Sequence, residues 1–275
     1  MTDIKRLFCV LLVMIVCNFA DAQSLRYLLK YPFKVVESKY EATPAQNGDQ
    51  QLVYINSDYC PYTIRRDNTN LFIINPGKNI VEYFKKNSAL KSPKAESYTY
   101  FRGKFPKDFN PNLVYALPVK CGSEVEWVID PRERSRTFAF KINDRDTVYA
   151  SRCGIVCKTD YPSGILVKHN DESFAAYLNL SEQLVFPGET VDVGQPIALA
   201  SYGGSSVSFF FLDENLFNNG KPGGYAYTHF SPVFRTDKGD TKLEEDTKYT
   251  CVIDDALIIQ EMSKSKQKKY LKGRK

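Results

Sequence analysis

Hydrophobic residues fall in short, closely spaced runs, and from residue 147 to residue 211 the chain is nearly unbroken strand and turn. The runs 147–150, 154–156, 165–169, 174–178, 184–186, 195–200 and 207–212 are rich in β-branched, aromatic and aliphatic side chains. Turn residues separate them at 152–154, 161–164, 170–171, 186–188, 193–194 and 202–204. Runs this short are below helix length, and the Gly, Pro, Asn and Asp between them favour tight reversals. The pattern predicts a compact antiparallel β-sandwich or barrel.

The N-terminal half repeats this style more loosely. Residues 51–56 and 71–75 predict strands, the second ending in the turn Asn75-Pro76-Gly77, and residues 97–102 alternate like a strand with one buried face. Residues 81–85 fit a strand or a helical turn equally. Tyr54, Tyr59, Tyr62 and Phe72 supply bulk for a small core. Residues 40–51 are polar, with Pro44 and Asn47-Gly48, and residues 104–111 form a Pro/Asn connector. The expected organisation is a lead-in over 23–39, an accessory β-domain over 40–112 and a second β-domain over 113–215. Closing strands and a loop follow over 216–260, with strands at 229–235 and 248–253, then a basic tail over 261–275. The fold class is all-β: an N-terminal β-sandwich-like domain followed by an antiparallel β-sandwich domain.

Three compositional features bear on compartment. Lys5-Arg6, the apolar stretch 7–20 and the motif Ala20-Asp21-Ala22 read as a secretory signal cut after Ala22, so the mature protein is expected to be exported, periplasmic or secreted. Cys9 and Cys17 leave with that signal; Cys60, Cys121, Cys153, Cys157 and Cys251 remain, an odd number that leaves at least one thiol free. Seven positive charges (Lys264, Lys266, Lys268, Lys269, Lys272, Arg274, Lys275) lie in the last thirteen residues, so a formal charge of +5 leaves the remainder slightly acidic. Such a tail is drawn to anionic surfaces, or it is a solvated end. No aromatic platform interleaves the charges, and nucleic acid is not an expected partner.

Between residues 114 and 215 the wording resembles the M23, or LytM/lysostaphin-like, peptidase family, whose active members are zinc endopeptidases that cut peptidoglycan cross-links. Residues 147–150 with 154–156 look like that family's entry strands. Residues 167–169 (Val-Lys-His) followed by 177–180 (Tyr-Leu-Asn-Leu) look like its hairpin, and 187–191 with 193–198 like its doubled glycine hairpin of duplicated-hybrid-motif type. A Tyr-x-Leu-Pro phrase at 115–118 introduces the domain, as in exported Bacteroidetes-type proteins that also carry an N-terminal β-domain.

Active members bind zinc with a histidine, an aspartate and the second histidine of a final His-x-His; the first of that pair and a hairpin histidine move protons. The resemblance places these roles on Ser135, Ala139, Ser208, Ser206 and Asn179. None is a histidine or carboxylate. The whole chain holds only two histidines, His169 and His229, in no HxH or HxxxH pair. A catalytic zinc needs three good protein ligands, so neither metal nor cofactor is expected and no residue is assigned a catalytic role. Tyr177, Tyr202 and Asn179 are candidates for contacting a glycan or peptide in the groove. Cys153 with His169 carries no recognisable hydrolase motif.

The expected function is a non-catalytic M23-like pseudopeptidase of the cell envelope that binds peptidoglycan or regulates a cell-wall hydrolase. The alternatives are an active zinc endopeptidase and a structural or adhesive envelope module. The last differs from the first in whether the groove is open and polar or filled by aromatic side chains.

Overall fold

The computed structural model describes residues 25, 28–29, 35–45, 47–66, 70–89, 98–129, 137–160, 163–219 and 225–273. The signal-like stretch with its Ala22 cleavage site, most of the lead-in, and Ser135 lie outside them.

The N-terminal part is built from β1 (Val36–Ala42), β2 (Gln50–Asn56), β3 (Tyr62–Arg66), β4 (Asn70–Ile74), β5 (Gly77–Phe84) and β6 (Tyr98–Arg102). They form two three-stranded sheets, β1-β2-β5 and β4-β3-β6, antiparallel throughout. The 81–85 stretch is strand, because β5 extends the hydrogen-bonded ladder of β2. Strand β1 starts at Val36, within the stretch expected to be a lead-in, and β3 appears where no strand was predicted. With only Tyr62 and Ile64 as large apolar residues ahead of two arginines, β3 has little period-2 signal of its own; β4 and β6 pair it on both sides.

The rest of the chain runs through β7 (Val114–Ala116), β8 (Glu124–Ile129), β9 (Phe138–Phe140), β10 (Thr147–Tyr149), β11 (Gly154–Asp160), β12 (Gly164–Lys168) and β13 (Phe174–Leu178). It continues with β14 (Leu180–Gln183), β15 (Thr190–Val191), β16 (Pro196–Ala200), β17 (Ser205–Leu212), the short helix α1 (Glu214–Asn219) and β18 (Tyr227–His229). Last come β19 (Val233–Thr236), β20 (Gly239–Thr241), β21 (Lys248–Thr250), α2 (Asp255–Ile259) and α3 (Lys264–Lys272). A nine-stranded sheet ordered β15-β11-β12-β13-β17-β9-β8-β21, with β18 also on β17, is the spine of the molecule. Two smaller sheets, β10-β16-β14 and β20-β19-β7, face it.

The expected strand at 184–186 is displaced to β14; Leu184 and Phe186 are exposed, and Pro187 has no N–H with which to extend the ladder. The expected strand at 229–235 is two strands, interrupted at Ser231-Pro232. The tail is ordered: α3 buries no residue, yet Gln267 Nε2 donates to the carbonyls of Ile259 (3.2 Å) and Met262 (2.8 Å) and ties it to the end of α2.

The central strands of the spine sheet, β12, β13 and β17, are buried on both faces. Val167, Ala175, Tyr177, Val207 and Phe209 point into one core, shared with Val148, Ile197 and Phe234 of the smaller sheets. Leu166, Phe174, Ala176, Leu178, Phe210 and Leu212 point into a second core, shared with Leu52, Tyr54, Tyr62, Ile64 and Phe101 of the N-terminal sheets. Strand β13 has no solvent face at all, which is why its sequence, Phe-Ala-Ala-Tyr-Leu, is a continuous apolar run rather than an alternation. The molecule is therefore all-β, and its described helices are short. Among the described residues no helix is long and apolar enough to cross a membrane.

Candidate functional site

The second face of the spine sheet collects the residues singled out from sequence. Ser206 of β17 stands opposite Ala139 of β9 on one side and Leu178 of β13 on the other; Ser208, two residues on, stands opposite Ala176. Directly opposed residues in an antiparallel pair share a face, so Ala139, Ser206 and Ser208 lie together on one surface. Asn179 follows Leu178 immediately, in a left-handed conformation (φ 59°), and its amide donates to the Gly204 carbonyl at 2.6 Å. The hydrogen bond ties the β13–β14 turn to the start of β17. Four positions far apart in sequence thus lie near one strand end.

Their chemistry is that of a packed sheet. Ser208 is fully buried and Ser206 is 6% exposed. Ser208 Oγ lies 2.9 Å from His229 Nδ1, and His229 Nε2 meets the hydroxyl of Tyr225. His229 reaches this face because β18 pairs with β17, placing it opposite Phe210. Ser206 Oγ has no hydrogen-bond partner among the described residues.

Zinc does not fit this set of donors. Ala139 offers a methyl group, Ser206 and Ser208 offer neutral hydroxyls, Asn179 spends its amide on Gly204, and both nitrogens of His229 are engaged. Among the described residues, no group of three or more His, Cys, Asp or Glu side chains is placed to hold a metal ion. Small neutral ligands of this kind do not replace imidazole and carboxylate.

The two tyrosines divide. Tyr177 faces the other core, wholly buried, with its hydroxyl accepting from the Ser151 amide at 2.7 Å. It therefore cannot touch a ligand on the Ser206 face, a correction that follows from strand parity: it is one residue out of phase with Leu178 and Ala176. Burial pushes its hydroxyl up to about 12. Tyr202 is 88% exposed at the turn before β17 and is free to contact a partner.

The aromatic filling of the groove face comes from the N-terminal sheets. A Cβ on Gly103, just past β6, would stand 2.7 Å from the ring of Phe174. The Tyr227 hydroxyl donates to the Arg102 carbonyl at 3.0 Å, and Phe217 of α1 meets Phe101 edge-on, with Arg65 lying over its ring. At the heart of this cover Arg102 Nη1 lies 2.7 Å from Asp58 Oδ2, and Tyr62 donates to the same oxygen at 2.6 Å.

A second buried network lies at the other end of β11. Arg152 holds Glu261 by two bonds (2.8 and 2.5 Å), Asp171 at 2.9 Å and the Tyr115 hydroxyl at 2.9 Å. Burial works to raise the Glu261 carboxyl, but Arg152 outweighs it and holds the group below the usual range. The neighbouring Cys153 thiol sits 3.1 Å from Glu261 and is pushed up to about 12 by burial and that carboxylate. His169 Nδ1 meets the carbonyl of Cys153, not its sulfur, at 2.7 Å. Neither ring nitrogen of His169 bonds the Cys153 sulfur, and the raised thiol pKa disfavours the thiolate that a hydrolase would need.

Sequence reasoning missed His229 as the partner of Ser208, and it missed both buried arginines. No periodicity marks them; each depends on a strand pairing or a long-range contact.

No family model and no curated protein matches the chain. Among solved structures, it resembles a novel M23 metalloprotease, pseudoalterin, from the deep sea (13% identity, 51% of this chain and 96% of that one, TM-score 0.31). It also resembles a putative peptidase M23 from Pseudomonas aeruginosa (14% identity, 56% and 82%, TM-score 0.30). A third is Csd3 from Helicobacter pylori (12% identity, 92% and 63%, TM-score 0.30). At these scores and identities the likenesses decide neither the family nor the activity of this chain.

Proposed function

We propose that the chain is a non-catalytic protein of M23-like architecture, exported to the cell envelope, that binds peptidoglycan or regulates a cell-wall hydrolase through its outer surface rather than its groove. The observation that carries this reading is the burial of Ser206 and Ser208 on a sheet face roofed by Tyr54, Tyr62 and Phe101, beside an alanine where a metal-binding carboxylate would be needed. A hydrolytic site must bring substrate, water and a polarising group within about 3 Å of one another, and two buried serines beside an alanine supply neither open access nor a polarising group.

The surfaces left for binding are the exposed Tyr202 turn and the lysine-rich helix α3, which displays Lys264, Lys266, Lys268, Lys269 and Lys272 without burying any of them. Charge of one sign on one short helix attracts anionic polymers and acidic protein faces. The filled groove also supports the structural or adhesive reading, which shares the same binding surfaces and differs only in lacking a regulated enzyme.

The experiment combines elemental analysis after zinc loading with a pull-down on purified peptidoglycan. Less than a tenth of an equivalent of zinc together with retention on the wall polymer is the expected result. One equivalent of zinc would overturn the non-catalytic reading. Absence of both would transfer the proposal from peptidoglycan to a protein partner.

A further inference from the structure

Strand β11 carries a bulge. Val156 pairs with Val167 and Lys158 pairs with Leu166, so Cys157 is the extra residue between them. A bulge re-aims the side chain of its extra residue. Val156 packs into the inner core, and Cys157 turns to the opposite face, into the core shared with the N-terminal sheets. There it meets Cys60, which lies between β2 and β3, in the part of the chain that covers the groove face. The two thiols share one core and act on each other electrostatically, and Cys157 and Cys60 are buried, at 3% and 0% exposure.

The surroundings are unusual for two resting thiols. Arg102 Nη1 donates to Cys60 Sγ at 3.1 Å while ion-pairing with Asp58. Its Nε and Nη2 are buried with no partner among the described residues. Arg102 thus holds the Cys60 sulfur in place beside Cys157, while burial pushes the Cys157 thiol well up, so in the docked state that sulfur is no nucleophile. The other cysteines lack such a setting: Cys121 is exposed, Cys153 is bonded to a carboxylate, and Cys251 contacts the Leu117 carbonyl.

We propose that Cys60 and Cys157 are a disulfide cross-link site that fastens the N-terminal sheets to strand β11 across the groove face. The oxidant is a disulfide of the thiol-exchange class, RSSR. The Cys60 thiolate attacks one sulfur of RSSR and expels RS⁻; Cys157, losing its proton, then attacks the mixed disulfide at Cys60 and expels the second RS⁻. One S–S bond forms and one breaks, two electrons pass to RSSR, and the two thiol protons end on two RSH. Because both sulfurs are sealed once the sheets dock, the exchange takes place during folding, and the finished bond resists reduction until the cover opens. The inference stands whether or not the chain binds the wall polymer.

The test is to refold the full chain with a mixture of reduced and oxidised glutathione, block free thiols under denaturing conditions, and map the peptides by mass spectrometry without reduction. The expected result is a linked pair containing Cys60 and Cys157, with Cys121, Cys153 and Cys251 alkylated. Recovery of Cys60 and Cys157 as alkylated thiols, or linked to other cysteines, would overturn the proposal. A second readout is the urea midpoint, expected to be higher for the oxidised than for the reduced wild type. Cys157→Ala should abolish that difference and Cys121→Ser should preserve it; a difference that survives Cys157→Ala assigns the effect to another pair and rejects this one.

Discussion

Ser208 Oγ, fully buried in the spine sheet, lies 2.9 Å from Nδ1 of the half-buried His229. The histidine comes from a neighbouring strand, β18, and its ring is held from the other side by Tyr225. The contact satisfies a buried hydroxyl and an imidazole at once, and it is a packing contact.

Restoring histidines to the sheet should therefore not restore a metal site. In the double variant Ser206→His/Ser208→His, two imidazoles replace small buried side chains, and Ala139 still offers no ligand. The expected outcome is a stability loss of roughly 1–3 kcal/mol from overpacking and no stoichiometric zinc. Urea unfolding and metal analysis check it; tight one-to-one zinc binding by this variant would contradict the account of the site.

Arg102 and Asp58 form an ion pair that solvent does not reach. Removing one partner leaves an uncompensated charge in the interior, so Arg102→Met should cost about 3–5 kcal/mol. The double variant Arg102→Met/Asp58→Asn removes both charges and should recover part of the loss. The difference, read from a double-mutant cycle of urea midpoints, tests whether the pair or the packing of the long side chain dominates.

His169 gives the protein a predicted acid sensitivity. Its pKa is lowered to about 4, first by burial and then by the Arg152 cation. An unfolded histidine titrates near 6.5, so between about pH 6.5 and pH 4 the unfolded chain binds a proton that the folded chain refuses. The stabilisation from the neutral ring is complete above about pH 6.5 and disappears as pH falls to about 4, a loss on the order of 3 kcal/mol. Asp171 and Glu261, both held below their ordinary values by Arg152 against the opposing effect of burial, lose their contribution at still lower pH. In His169→Gln the stability-against-pH slope between 6.5 and 4 should flatten; an unchanged slope would assign the acid sensitivity elsewhere.

Helix α3 contributes charge and little packing. Truncation after Ser263 should change stability by no more than about 1 kcal/mol, since the helix buries no residue and its contacts include the half-buried Gln267 bonds and the Tyr270 hydroxyl on Asp255. It should sharply reduce retention on an anionic column and on the wall polymer. Unaltered retention would move the binding surface away from the helix.

The sequence by itself determined that the protein is a β-structure, and it located most strands of the spine sheet, because short apolar runs punctuated by Gly, Pro and Asn leave no alternative of helical length. It also placed Ala139, Asn179, Ser206 and Ser208 together, through a resemblance that the strand register is consistent with. The unbroken apolar run of β13 even held the signal that both faces of the sheet are covered.

Only the tertiary structure decided what covers the second face, because that depends on which distant strands dock there. Tyr54, Tyr62 and Phe101 carry no mark of their partners, Leu166 and Phe210. Tyr177 faces the inner core and not the Ser206 side because one residue of strand phase separates it from Ala176 and Leu178. Arg102 with Asp58 and His229 with Ser208 join residues 44 and 21 positions apart. The period of a strand fixes which of its residues share a face; what each face meets is set by long-range docking, which the local pattern does not encode.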